Sequence, residues 1–307
     1  MKEYRFQIDE DTAGMRIDKC LSEAYEELSR AYIQKLIKDR LVLINGRVCK
    51  PSSVADAGDQ IFFSTPDSVI PDILPENIPL EILYEDEDVI VVNKPKGMVV
   101  HPAAGHYSGT LVNALMYHCR DLSGINGVLR PGIVHRIDKD TTGAVIACKN
   151  DRAHESIAAQ LKEHSIDREY IAIVCGNIMD ATGSVDAPIG RDKKDRKRMC
   201  VDFSSGKRAV THFTVLERFS QYTFVKCRLE TGRTHQIRVH MAYIKHPVLG
   251  DEVYSGTKVP WNLTGQTLHA RTLGFTHPKS GERIFVEAPV PEYFERILKD
   301  LRRREGR

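Results

Sequence analysis

Near the start of the chain, apolar side chains return at helical intervals. Ile17, Cys20, Leu21, Ala24 and Tyr25 fall on one face, which predicts an amphipathic helix. Ser29 can cap a second helix in SRAYIQKLIKDR, with Ile33, Leu36 and Ile37 turned inward and Arg30, Lys35, Lys38 and Arg40 outward. The pattern then becomes extended. LVLI runs into Asn45-Gly46, a pair that tolerates the positive φ of a tight hairpin turn, and RVC returns; Ile61-Phe62-Phe63 predicts a further strand. Pro66, Pro71, Pro75 and Pro79 forbid a helix across STPDSVIPDILPENIP, so residues 66–79 are expected to link a small domain over 1–65 to a larger one over 80–307.

Beyond Leu80, strand-like and helix-like patterns alternate. EDVIVVNKP, YIAIVCG, AVTHFTVLERF, YTFVKCRLE, LHARTLGFTHP and RIFVEAP read as strands. GTLVNALMYH, DRAHESIAAQLKEH, RTHQIRVHMAYI with Ile237, His240, Met241 and Ile244 at helical spacing, and residues 292–304 read as helices. This is a mixed α/β domain large enough for catalysis. Within it, 132–134 and 144–147 look like short buried strands enclosing HRIDKDTTG. That placement puts His135, Arg136, Asp138, Lys139 and Asp140 at the edge of a core rather than in a solvated turn.

Length and composition agree with two soluble globular domains: 307 residues, 41% hydrophobic and 28% charged. No stretch reaches the roughly 18 apolar residues of a membrane span. MKEYRFQIDEDTAG is too polar for a signal peptide, so a cytoplasmic protein with no membrane partner is expected. The seven cysteines form no C-x-x-C pair and mostly sit among apolar residues; reduced core thiols are expected, without disulfides or a metal site. A formal net charge of +2 announces no partner by itself. Residues 16–50, however, carry eight basic side chains against five acids, with the surplus on the second helix and the hairpin, including Arg47. RDKKDRKR over 191–198 is either a solvated loop or an arm that contacts phosphate.

The chain lacks phosphate-binding, dinucleotide, zinc-protease and serine-elbow motifs. His154 and His164 lie ten residues apart without a third ligand nearby. What remains is a carboxylate in a cationic setting. If Asp138 lies beside Arg136 and the arginines of ETGRTHQIRVH, those charges favour its ionised form. Such a group can attack an electron-poor carbon or abstract a proton.

HRIDKDTTG, taken with VVNKPKGMVVHP upstream and ETGRTHQIRVHMA downstream, closely resembles the RluA-like pseudouridine synthases, in particular members acting on large-subunit ribosomal RNA. The resemblance runs from about Leu80 to the end. Residues 15–65 resemble the small S-four-like, or alpha-L, RNA-binding domain. The resemblance implies an α+β fold with a mixed, largely antiparallel sheet, preceded by a small α/β RNA-binding domain, with no cofactor and with ribosomal RNA as partner; nothing in the sequence demands more than a monomer. It further implies that Asp138 is the catalytic residue, Arg136 helps extrude the target nucleotide, Tyr170 lies against the uracil and Arg233 is the partner of Asp138. Ile137 stands where the family usually has leucine. Asp140 is expected to be structural. Arg30, Lys35, Lys38, Arg40 and Arg47 are the expected RNA contacts of the small domain. Two alternatives stay open: an assembly factor that grips RNA without chemistry, and a glycosylase that releases the base.

Overall fold

A computed structural model describes residues 2–25, 28–65, 73–102, 106–119, 122–125, 130–195, 197–256 and 261–306. The chain divides into two compact units, Met1–Pro71 and Asp72–Arg307. In the first unit, β1 (Lys2–Gln7), α1 (Ile17–Ala24), α2 (Arg30–Lys38), β2 (Val42–Ile44), β3 (Arg47–Val48) and β4 (Gln60–Thr65) follow in order. The strands form one antiparallel sheet in the order β1-β4-β2-β3. Its core joins Ile17, Cys20 and Leu21 of α1 to Ile33, Leu36 and Ile37 of α2 and to Ile61 and Phe63 of β4. The expected cap is present, since the Ser29 side chain accepts the Tyr32 N–H at 3.2 Å. Asn45 and Gly46 take φ of 48° and 78°, which is why that dipeptide can turn β2 into β3. The leading strand β1 escapes sequence reading because KEYRFQ leaves four of its six side chains exposed.

Only part of the expected linker falls within the described residues; 66–72 lie outside them. The remainder, 73–79, is not a free tether. Ile73 is buried in the core of the second unit, the Leu74 carbonyl accepts Asn113 Nδ2 at 2.8 Å, and the Glu76 carboxylate accepts the Gly109 N–H at 3.0 Å.

The second unit continues with β5 (Ile82–Glu85), β6 (Val89–Lys94), α3 (Leu111–His118), β7 (Thr142–Cys148), α4 (Asp151–Lys162), β8 (Asp167–Cys175), β9 (Thr182–Asp186), β10 (Ile189–Arg191), β11 (Met199–Val201), β12 (Val210–Arg218), β13 (Tyr222–Leu229), α5 (Gln236–Tyr243), β14 (Leu268–Thr276), β15 (Arg283–Glu287) and α6 (Glu292–Arg304). One mixed sheet runs β5-β6-β7-β14-β8-β13-β12-β9, with β15 added to β14. Both faces are covered. Ile90, Val145, Tyr170 and Ala172 pack on one side with α3 and α5. Val91, Ile146 and Ile157 of α4 pack on the other, as do Ile171 and Phe294 of α6. Burial on both faces explains why TGAVIAC is apolar without alternation.

The sheet is antiparallel except where β7 meets β14, a parallel contact of two residue pairs, Thr142–His269 and Gly143–Ala270. Gly143 has φ of 111°, and a Cβ there would stand 2.2 Å from the Ala270 carbonyl oxygen. The glycine of HRIDKDTTG thus lets the two halves of the sheet close on each other. The strand expected over 132–134 does not form; Ile133 makes only an isolated bridge to Ala147, because Gly132 at φ 71° turns the chain away. The described residues of RDKKDRKR lie about the turn between the short paired strands β10 and β11, where Asp192 and Asp195 accept backbone N–H groups of the same turn.

Candidate active site

The loop 135–140 enters β7 along one wall of a cleft of about 550 Å³. A set of internal bonds fixes its course. Lys94, at the end of β6 and wholly buried, donates to the carbonyls of Pro95, Met98 and Lys139 at 2.9, 2.8 and 2.9 Å. Burial pulls the Lys94 pKa down to about 7, while Asp140 and Asp138 pull it upward. Three carbonyls around one nitrogen match the three donors of an ammonium. Gly97 N–H donates to the same Lys139 carbonyl at 3.0 Å. Lys96 bonds the carbonyls of Gly265 and Gln266, both at 3.2 Å. Asp140 fills the space against Gly265, where a Cβ would come within 2.5 Å of it, so it serves as a spacer between the loop and the approach to β14. His135 faces the sheet, and its Nε2 accepts the Ile146 N–H at 3.0 Å. Burial and the Arg168 charge push its pKa down to about 3, so it is neutral.

Asp138 stands at 16% side-chain exposure, its Oδ2 accepting Arg238 Nη1 at 2.9 Å. The expected partner was Arg233, and here the expectation is corrected. Arg233 lines the cleft, but its Nε donates to the Arg208 carbonyl at 3.1 Å. The reason is local backbone. His235 adopts a left-handed φ of 58° and α5 begins just after it, so Arg233 stays in the preceding turn while Arg238, three residues beyond His235, is carried inward. Arg238 also grips Asp251, with Nε at 2.7 Å and Nη2 at 2.9 Å. Burial works against the Arg238 charge, but the bonds and charges of Asp251 and Asp138 outweigh it, and its pKa lies above the usual arginine value. Asp251 has no exposed surface and further accepts the N–H groups of Val253 and Tyr254 at 3.0 and 3.2 Å.

Tyr254 closes the ring of contacts. Its hydroxyl oxygen accepts the Met199 N–H and lies 2.9 Å from His235 Nδ1; the His235 Nε2 is 3.9 Å from Asp138 Oδ1. Oδ1 of Asp138 therefore has no hydrogen bond among the described residues, whereas Oδ2 is held. Asp251, Tyr254 and His235 were absent from the sequence-based site. The signal available was the adjacent acids Asp251 and Glu252 in VLGDEVYSG, which nothing in the pattern tied to Arg238.

Tyr170, on β8, is 8% exposed and lines the cleft; burial raises its pKa. Arg136 is exposed and also lines the cleft. In the first unit, Lys35, Lys38, Arg40 and Arg47 are exposed. Arg30 is partly committed, donating to the buried Asp18 through Nε and Nη2 at 3.2 and 3.1 Å. Among the described residues, two side-chain groups have the spacing of metal ligands, Glu85–His118–Cys119 and Asp86–Asp88–His277. Each is occupied internally: Glu85 pairs with Lys149 and His118. His277 Nδ1 accepts the N–H groups of Lys279 and Ser280 while Nε2 faces Asp86 at 2.8 Å.

A carboxylate held by a buried arginine, an aromatic ring and a set of cationic side chains thus line one cleft. Residues 88–243 match the RNA pseudouridylate synthase family and residues 15–61 match the S4 domain. The chain belongs to the RNA pseudouridylate synthase family and is an isomerase that converts uridine to pseudouridine. Among its relatives, the uncharacterized RNA pseudouridine synthase YlyB of Bacillus subtilis is 52% identical, covering 99% of both chains. The ribosomal large subunit pseudouridine synthase D of Pseudomonas aeruginosa is 42% identical over 96% of this chain and 95% of its own. Among solved structures, human RNA pseudouridylate synthase domain containing 4 aligns with a TM-score of 0.57 at 26% identity, over 72% of this chain and 93% of that one.

Proposed function

We propose that the protein isomerises uridine in large-subunit (23S) ribosomal RNA, acting in the cytoplasm as a monomer, with Asp138 as the catalytic residue. The substrate follows from relatives named ribosomal large subunit pseudouridine synthase D and from the S4 domain in the first unit. The observation that carries the catalytic assignment is the Asp138 carboxylate itself, held through Oδ2 by Arg238 and open at Oδ1.

The reaction breaks the bond from uracil N1 to the anomeric carbon C1′ and forms one from C5 to C1′. C5 gives up a proton and N1 gains one, so the product is an isomer and no co-reactant is consumed. Asp138 Oδ1 either attacks C1′ or takes the proton of the neighbouring sugar carbon, and the Arg238 bond keeps the carboxylate oriented for both. Extruding the uridine costs a few kcal/mol. Arg136, at the exposed edge of the cleft, is suited to occupy the gap left in the RNA, and Tyr170 to stack on the detached base and retain it while it turns. Arg233 reads as a contact to the RNA at the rim. Arg30, Lys35, Lys38, Arg40 and Arg47 supply phosphate contacts.

The test is to map pseudouridines in ribosomal RNA from cells with and without the gene, then to repeat the conversion with purified protein. Specific 23S uridines losing modification, and regaining it in vitro, is the expected result. An unchanged map with RNA binding intact would favour an assembly factor, and free uracil in the reaction would favour a glycosylase.

A further inference from the structure

Three lysine or arginine side chains are buried among the described residues: Lys94, Arg168 and Arg238. Lys94 has its three carbonyls and Arg238 its two carboxylates. Arg168 is different. It is 7% exposed, its Nε has no hydrogen-bond partner, and no ion pair to its guanidinium occurs among the described residues. A guanidinium cannot shed its proton to escape burial, so an unpaired one inside a protein is costly unless a ligand supplies an acceptor.

Its position shows where that ligand lies. Arg168 precedes Tyr170 by two residues on β8 and so shares its face of the sheet, and both line the cleft. The guanidinium rests against bare backbone: a Cβ on Gly232, in the TGRTHQIR turn, would fall 2.6 Å from Nη1. Lys162 and His164, at the end of α4, line the same cleft. Six lysine or arginine side chains face it against one carboxylate, Asp138, and that carboxylate is already paired with Arg238. Neutral uracil leaves this imbalance in place. A phosphodiester offsets it and offers the oxygens that a guanidinium binds in fork geometry.

We infer that Arg168 forms a phosphate subsite inside the cleft, one that binds a phosphodiester flanking the extruded uridine and thereby fixes the sugar against Asp138. The inference rests on the isomerase reading of the same site. It makes Arg168 a substrate-binding residue that acts from beneath Tyr170, separate from the exposed cations of the rim.

The experiment uses the full chain and a short RNA containing a uridine mapped as above, with each flanking phosphate replaced in turn by an uncharged methylphosphonate. Wild type, Arg168→Met and Arg168→Lys are compared by kcat/KM, with melting curves confirming that each is folded. One methylphosphonate position is expected to lower wild-type kcat/KM about ten- to a hundredfold. Arg168→Met should show a similar loss on native RNA and no further loss at that position, while Arg168→Lys recovers part of the rate. If Arg168→Met responds to every methylphosphonate as wild type does, the subsite is refuted while the isomerase reading stands. If wild type converts none of the mapped uridine, both fail together.

Discussion

Arg238 bridges two carboxylates, and removing it should have two separable consequences. Arg238→Met leaves Asp251 without exposed surface and without its two charged donors, at 2.7 and 2.9 Å; only the Val253 and Tyr254 N–H groups remain. Stranding such a charge costs about 3–5 kcal/mol. For a unit of this size each kcal/mol moves the melting point by roughly 2–4 °C, so a drop of about 6–20 °C is expected. Asp251→Asn keeps the shape and removes the charge, at a cost of about 1.5–3 kcal/mol. In the double variant no charge is stranded, and the two losses should fall short of their sum by at least about 1 kcal/mol. Turnover should not return with stability, because Asp138 still lacks its holder. Trp261, the sole tryptophan, sits in the second unit against Tyr222, and its fluorescence in urea reports that unit. Additive losses within about 0.5 kcal/mol, or recovery of turnover in the double variant, would refute the reasoning.

Further outcomes follow from the two units. Gly143→Ala should destabilise the second unit by at least about 3 kcal/mol in the same urea assay, since the new methyl meets the Ala270 carbonyl; a loss under 1 kcal/mol would contradict the role given to this glycine. Burial opposes ionisation of Asp18, but Arg30, Gln34 and Arg16 overcome it and hold its carboxyl well below the usual range. A depressed folded-state value means this contribution is full above about pH 4 and is lost as pH falls below that; Asp18→Asn should therefore weaken the first unit at pH 7 and flatten its acid denaturation curve. Replacing Lys35, Lys38, Arg40 and Arg47 by alanine should reduce the slope of log affinity against log salt by about 3 if each meets one phosphate of single-stranded RNA. An unchanged slope in filter binding would place the RNA elsewhere.

Much of this arrangement was legible because local rules and tertiary structure agree. The i, i+3, i+4 spacing of Ile17, Cys20 and Leu21 marks α1, and the Asn45-Gly46 turn follows from what φ > 0 demands. The charged loop HRIDKD at a sheet edge follows from its apolar flank in β7. The strands β5 and β9 were missed because ILYE and TGSVD are short and leave half or more of their side chains exposed. The buried Lys94 was missed because its partners are carbonyls, which carry no sequence signal. The choice of Arg238 over Arg233 depended on a left-handed His235, a conformation that histidine adopts only occasionally and that no spacing rule predicts. Asp138 and Arg238 lie 100 residues apart in the chain, and only the fold brings them together.

The central claim is that the carboxylate of Asp138 performs the isomerisation. Asp138→Asn preserves volume and removes the charge, so tritium release from RNA carrying 5-tritiated uridine should cease while filter-binding affinity for the same RNA stays within about twofold, since phosphate contacts supply most of that affinity. Turnover by the asparagine variant at a rate near that of wild type would contradict the account.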